Sequence, residues 1–305
     1  MPTRLRNALS AVLIALSCLL VPFGALAAWV LYGLADTGRY VATMAPLATD
    51  PAVQGAVADS VGTGIMHHVD RELEASPAAP SPATVRPFVH DAVRSFTRTE
   101  AFRTAWDAGN KAVHDALLRA LRDDRARTVT VDLAPVTAQV KRRLTDDHIP
   151  FAHRIPVRHT AVRVLPAREL DRLRKGYGVL EVAGFWLPVS AAVLAAAGIA
   201  VAACRRRAVT ATALGTALGG AFLALAVALG RRLTLADVPE AVHRPAAGAV
   251  YDALTATLRT VSWLLVVLGV AVALVCRFTE YLARRRRASA GPAADPAREP
   301  TRARV

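Results

Sequence analysis

At 305 residues, with 53% hydrophobic content and a mean hydropathy of +0.32, the chain is more apolar than an ordinary soluble domain, for which about 45–50% is usual. The formal charge of +14 suggests a nucleic-acid binder, but residues 36–175 carry 21 basic against 17 acidic side chains, so most of the excess sits at short basic edges of apolar runs. That placement follows the positive-inside rule and reads as topology, with lipid rather than nucleic acid as the partner; the three cysteines (Cys18, Cys204, Cys276) all belong to apolar runs, which excludes a disulfide framework or a Cys/His zinc pattern.

Arg4 and Arg6 precede an apolar stretch from Ala8 to Leu34. A basic start, Pro22 and Ala25-Leu26-Ala27 resemble a cleavable signal. Against this, hydrophobicity continues through Trp29 and Tyr32, and about 27 residues suffice to span a bilayer. The preferred reading is an uncleaved first transmembrane helix over 8–34, with 1–7 as a cytoplasmic N-terminus.

Residues 36–175 are expected to form an extracytoplasmic domain, mainly α with a minor β part. Asp50-Pro51 reads as N-cap and first turn of a helix, and Val53, Val57, Val61, Ile65, Val69 and Leu73 follow at i+4. The Pro-rich run Ser76–Pro82 ends that helix. Val85, Phe88, Val89, Ala92, Val93 and Phe96 predict an inward face on the next. A third helix is expected from Thr99-Glu100, with Phe102, Trp106, Val113, Leu117 and Leu121 inward and Gly109-Asn110 as a kink. Thr128–Leu133 and Ala161–Leu165 alternate as short strands, with a helix over Ala134–Leu144 between them. An amphipathic helix from Pro166 is expected to run directly into the membrane.

The remaining crossings are predicted at 178–204, 208–230 and 260–277. Arg205-Arg206-Arg207 form the tight turn between the first two of these; their charge keeps them out of the hydrocarbon and places the turn in the cytoplasm. Residues 231–259 form an exterior loop containing a helix over 245–258. Residues 278–305, with Arg284-Arg285-Arg286-Arg287, form a basic, disordered cytoplasmic tail. Both termini then lie inside, and every dense arginine cluster except Arg231-Arg232 falls on that side. The Arg284–Arg287 run suits anionic headgroups as well as stop-transfer.

Few residues point to chemistry. His67-His68 with Asp70 and Glu72 suggest a metal site, but neighbouring helical residues point about 100° apart, so solvated helix surface is the simpler reading. His148, His153 and His159 lie beside Asp146 and Asp147 in an irregular segment without recognised ligand spacing. Asp132, between a strand and a helix, reads as an N-cap before it reads as a catalytic carboxylate. Glu181 is the one ionisable residue within a crossing, and interfacial anchoring precedes substrate coupling as its role. Gly215 and Gly219, with Ala211 and Thr212, give a small-residue face for helix packing, inside the bundle or in an oligomer. Walker-type, H-E-x-x-H, G-x-S-x-G and G-x-G-x-x-G motifs are missing from the sequence, and no cofactor is expected.

Asp36–Thr43, Ala45-Pro46-Leu47, Asp50–Gln54 and later Val131–Val136 together resemble blocks found in multi-pass membrane proteins of high-GC actinobacteria, although Gly38 stands where an acidic residue is usual. The resemblance implies this topology and a cell-envelope location, and it supplies no activity or catalytic residue. The leading expectation is a non-enzymatic plasma-membrane module for sensing, scaffolding or interaction with an unknown envelope protein or ligand, its surface formed by Asp132, Asp146, Asp147, His148, His153 and His159. A small oligomeric transporter and a metal-dependent envelope hydrolase are the alternatives.

Overall fold

The computed structural model describes residues 3–74, 82–123, 125, 128–132, 134–146, 161–165 and 167–289. Helix α1 (Thr3–Trp29) passes through Pro22 without a break and closes in a π-helical turn, Val30–Leu34. Helix α8 (Arg205–Ala236) presents Gly219 to the Pro22 ring, where a Cβ would sit 3.3 Å from the proline Cδ, so the glycine makes room for the ring. Helices α7 (Ala167–Val201) and α9 (Arg244–Ser289) complete a set of four helices long and apolar enough to cross a membrane.

Helices α7 and α8, joined through Ala202–Cys204, are not side-by-side partners. Helix α1 lies between them, and α9 packs on the other face of α8. The seam between α1 and α7 is built from small residues seven apart: Ser10, Ser17 and Gly24 on one helix, Gly198, Ala191 and Gly184 on the other. Ser10 Oγ donates to the Gly198 carbonyl and Ser17 Oγ to that of Ala191, both at 2.7 Å. A seven-residue repeat keeps one stripe of each helix against its neighbour, and small side chains let the backbones approach. This pairing makes α1 and α7 antiparallel. Cys18 beside Gly215 and Pro22 beside Gly219 make α1 and α8 parallel, while Gly220 beside Ser262 and Gly269 beside Ala213 turn α9 back again. The basic start of α1, the first turn of α8 and the basic end of α9 therefore gather at one end of the bundle.

Three boundaries differ from expectation. The predicted exterior helix and the fourth crossing are one continuous α9 of 46 residues, about 69 Å at about 1.5 Å per residue. No helix breaker separates Leu258 from Thr260, and the early part of α9 has its own cover in the domain described below. The helix also runs on to Ser289, so the first residues of the expected disordered tail are helical; 290–305 lie outside the described residues. The arginines Arg205-Arg206-Arg207 form the first turn of α8 rather than the connection itself.

Between α1 and α7 the chain folds into a helical domain. Asp36 caps α2 (Thr37–Met44), accepting from the Arg39 amide at 2.8 Å. A 3-10 turn, Ala45–Thr49, leads to α3 (Pro51–Glu74), where Asp50 accepts from the amides of Ala52 and Val53. The predicted stripe of α3 is only partly inward: Val53, Ala58, Gly62 and Met66 are buried while Val61 and Ile65 are exposed. A strict i+4 row advances about 40° per step, so it winds off the core face. Helix α4 (Pro82–Phe96) lies on α3, with the His90 ring over Gly62. Phe88, expected inside, is 74% exposed, because among the described residues no element covers that side of α4.

Thr99 caps α5 (Glu100–Arg122), which runs uninterrupted through Gly109-Asn110 in place of the expected kink. Strand β1 (Val129–Asp132) pairs antiparallel with β2 (Ala161–Leu165), and α6 (Ala134–Asp146) connects from β1. Ala116, Ala120, Val129 and Leu170 form one core, which fixes the start of α7 to α5 and the sheet. Met44, Leu47, Val53 and Ala246 form a second, which seats the domain on the early part of α9.

Candidate interaction site

The residues expected to form the surface are only partly placed. Asp132 Oδ1 accepts from the Ala134 amide at 3.0 Å, the N-cap role at the start of α6. Asp146 ends α6 and is exposed, whereas Asp147, His148, His153 and His159 lie outside the described residues. His67 is exposed on α3. Among the described residues no three His, Cys, Asp or Glu side chains gather as metal ligands.

The structure instead organises a polar joint around His114, a residue that belongs to no sequence motif. Phe102, Trp106, Asn110 and His114 form an i+4 row on α5, aromatic at its start and polar at its end. His114 is buried, and its Nε2 lies 2.7 Å from the Leu34 carbonyl, the end of the first spanning helix. Its Nδ1 lies 3.1 Å from Thr37 Oγ, which donates to Asp115 Oδ1 at 2.8 Å. Tyr40 stacks on the imidazole, centroids 4.3 Å apart.

A carbonyl only accepts, so Nε2–H donates to Leu34, and Thr37 gives its one hydroxyl hydrogen to Asp115. Lys111 Nζ lies 2.6 Å from Asp115 Oδ2, and this bond, followed by that from Thr37, holds the carboxyl below the usual carboxylate range. Burial pushes the Tyr40 phenol up. The polar groups of the cluster bond to one another and to the end of α1, tying α5 to α2 and α1.

The same row borders a cleft. Val57 and Val61 of α3, Val93 and Phe96 of α4, and Phe102, Trp106 and Val113 of α5 line an open apolar cavity of about 410 Å³, within the range of ligand pockets. Trp106 and Asn110 belong to both features. Trp106 Nε1 donates to the Met44 carbonyl at 2.9 Å, and Asn110 accepts from Tyr40 Oη at 3.4 Å while donating to the Trp106 carbonyl. An occupant of the cleft would touch side chains that hold α2 and, through Tyr40 and His114, the end of α1.

Within the bundle, Gly215 and Gly219 are covered by Cys18 and Pro22 of α1; a Cβ on Gly215 would fall 2.1 Å from the Cys18 sulfur. Glu181 is exposed on α7, one turn past Tyr177, whose hydroxyl accepts from Arg122 of the domain. Arg231 at the domain end of α8 makes a two-pronged pair with Asp252, Nε–Oδ1 and Nη2–Oδ2 each 3.0 Å. At the opposite end Arg206, Arg207, Arg277 and Arg284 line one cleft of about 760 Å³ between α8 and α9, and Arg284 pairs with Glu280. Arg285 and Arg286 follow on α9, and the side chain of Arg287 lies outside the described set. No known protein family matches the chain, and no curated protein or solved structure matches it either.

Proposed function

We propose that this chain is a multi-pass plasma-membrane protein of a bacterial cell envelope whose extracytoplasmic domain is a non-enzymatic sensing and interaction module. In this reading both termini and the clustered arginines are cytoplasmic, because three basic clusters collected at one end of a bundle give a single consistent orientation. The observation that carries the module reading is the double duty of Trp106 and Asn110. They wall the apolar cleft, and they also bind the segment that follows the first spanning helix. An apolar group of an envelope partner entering the cleft would press on the joint that sets the end of α1.

A photo-activatable side chain at Val61, inside the cleft, should cross-link an envelope component in living cells that the same side chain at exposed Phe88 does not reach. Trp106→Ala should remove that product. Indistinguishable products from both positions, or none from either, would sink the reading. The transporter alternative relied on Gly215 and Gly219 to join copies, and α1 occupies that face. The metal-dependent hydrolase alternative rests on a histidine segment outside the described residues.

A further inference from the structure

We infer that the arginine-lined cleft between the first turn of α8 and the end of α9 binds the phosphate of an anionic phospholipid. The positive-inside rule accounts for arginines near the membrane but does not require residues 70 positions apart to face one cavity. Here Arg206 and Arg207 stand opposite Arg277 and Arg284. One carboxylate, Glu280, shares the cleft and pairs with Arg284; among the described residues Arg206, Arg207 and Arg277 form no ion pair. Guanidinium groups bind phosphate oxygens through paired N–H donors, which suits this imbalance of charge.

Two further observations act in the same direction. Cys204, the N-cap of α8, gives its helix no side-chain cap, so the first amides of α8 remain free to face an anion beside the arginines. The cleft walls change character with depth. Beyond the arginines come Ala211 and Leu214, and then Leu218, 71% exposed on the same helix. A free phosphate would use only the basic mouth, whereas a phospholipid would also lay an acyl chain along these apolar side chains. The volume of about 760 Å³ admits a headgroup with its glycerol. The inference is independent of the cleft near Trp106 and rests only on the four spanning helices.

The test is native mass spectrometry of the full chain in detergent micelles, titrated with phosphatidylglycerol or with phosphatidylcholine. Phosphatidylglycerol should be retained preferentially. The double variant Arg206→Gln/Arg277→Gln should weaken that retention at least tenfold, while Arg4→Gln/Arg286→Gln, which removes equal charge from outside the cleft at the same end, should change it less than twofold. Arg206→Lys/Arg277→Lys should fall between wild type and the glutamine pair, which separates loss of charge from loss of the forked donors. Equal loss in both glutamine pairs would show diffuse attraction and overturn the site. Equal retention of the two lipids would do the same, as would displacement of phosphatidylglycerol by stoichiometric inorganic phosphate.

Discussion

The Nε2 of His114 lies 2.7 Å from the carbonyl oxygen of Leu34, so the middle of α5 holds the residue that closes the helical run begun by α1. Helix ends leave carbonyls without intrahelical partners, and a buried one needs a donor. Replacing His114 with Ala removes that donor, leaves Thr37 half-satisfied and opens a hole beneath Tyr40. The expected destabilisation is about 2–4 kcal/mol, read as a lowered unfolding midpoint in micelles, with faster hydrogen exchange around residues 34–37. His114→Gln should recover part of the loss.

Asp115 gives this joint a pH dependence of definite sign. Its carboxyl is held low, first by the Lys111 bond and then by Thr37. A folded-state value below the unfolded one contributes stability at pH above the unfolded value, lost as pH falls through the folded one. Asp115→Asn should therefore lower stability at neutral pH and flatten the acid limb of the stability curve. Chemical denaturation from pH 7 down to pH 3 checks both.

Gly215 and Gly269 should respond differently to alanine. At Gly215 the new methyl meets the Cys18 side chain, its sulfur 2.1 Å away, and at Gly269 it meets the Ala213 carbonyl at 2.4 Å. Each substitution should cost about 1–3 kcal/mol by overpacking. Shortening the opposing side chain with Cys18→Gly should rescue Gly215→Ala. No such change rescues Gly269→Ala, since backbone cannot be removed. A double-mutant cycle of unfolding in micelles measures both.

Arg231 and Asp252 are each partly exposed, with side chains 43% and 36% accessible. Solvent screens so exposed a pair, so it adds little to stability, but it offsets the one basic pair that opposes the positive-inside pattern. Asp252→Ala should lower the unfolding midpoint slightly, and the swap Arg231→Asp/Asp252→Arg should restore it.

Orientation is directly measurable in a variant lacking Cys18, Cys204 and Cys276. Single cysteines belong at Phe88 and Ala203, which are exposed, whereas Ala208 is packed against the bundle. An impermeant thiol reagent applied from outside should label position 88 alone. Labelling at 203 instead would reverse the topology and move the domain to the cytoplasm.

The sequence by itself determined the elements that depend on neighbours along the chain. Four apolar runs of spanning length, the caps at Asp50 and Thr99, the turn at Asp132 and the alternation in β1 and β2 are all local signals, and each stands where its pattern places it. Two failures were local patterns carried too far. The i+4 row of α3 ignored helical precession, and the split of α9 at residue 259 ignored that a polar, domain-facing segment can continue an apolar helix.

Only the tertiary structure decided who neighbours whom. The chain order suggested α7 against α8, yet α1 fits between them, because Ser10 and Ser17 bond the Gly198 and Ala191 carbonyls, Gly24 admits the backbone at Leu187 and Pro188, and Gly184 admits Leu31 and the Ala27 carbonyl. That match was visible as a seven-residue spacing but acquires meaning only when both helices are compared. His114 was hidden for the same reason: its partners lie 77 and 80 positions away. Hydrogen bonding and close packing act over a few ångströms in space. A one-dimensional reading resolves them only where the chain keeps partners close in sequence, which a helical membrane bundle seldom does.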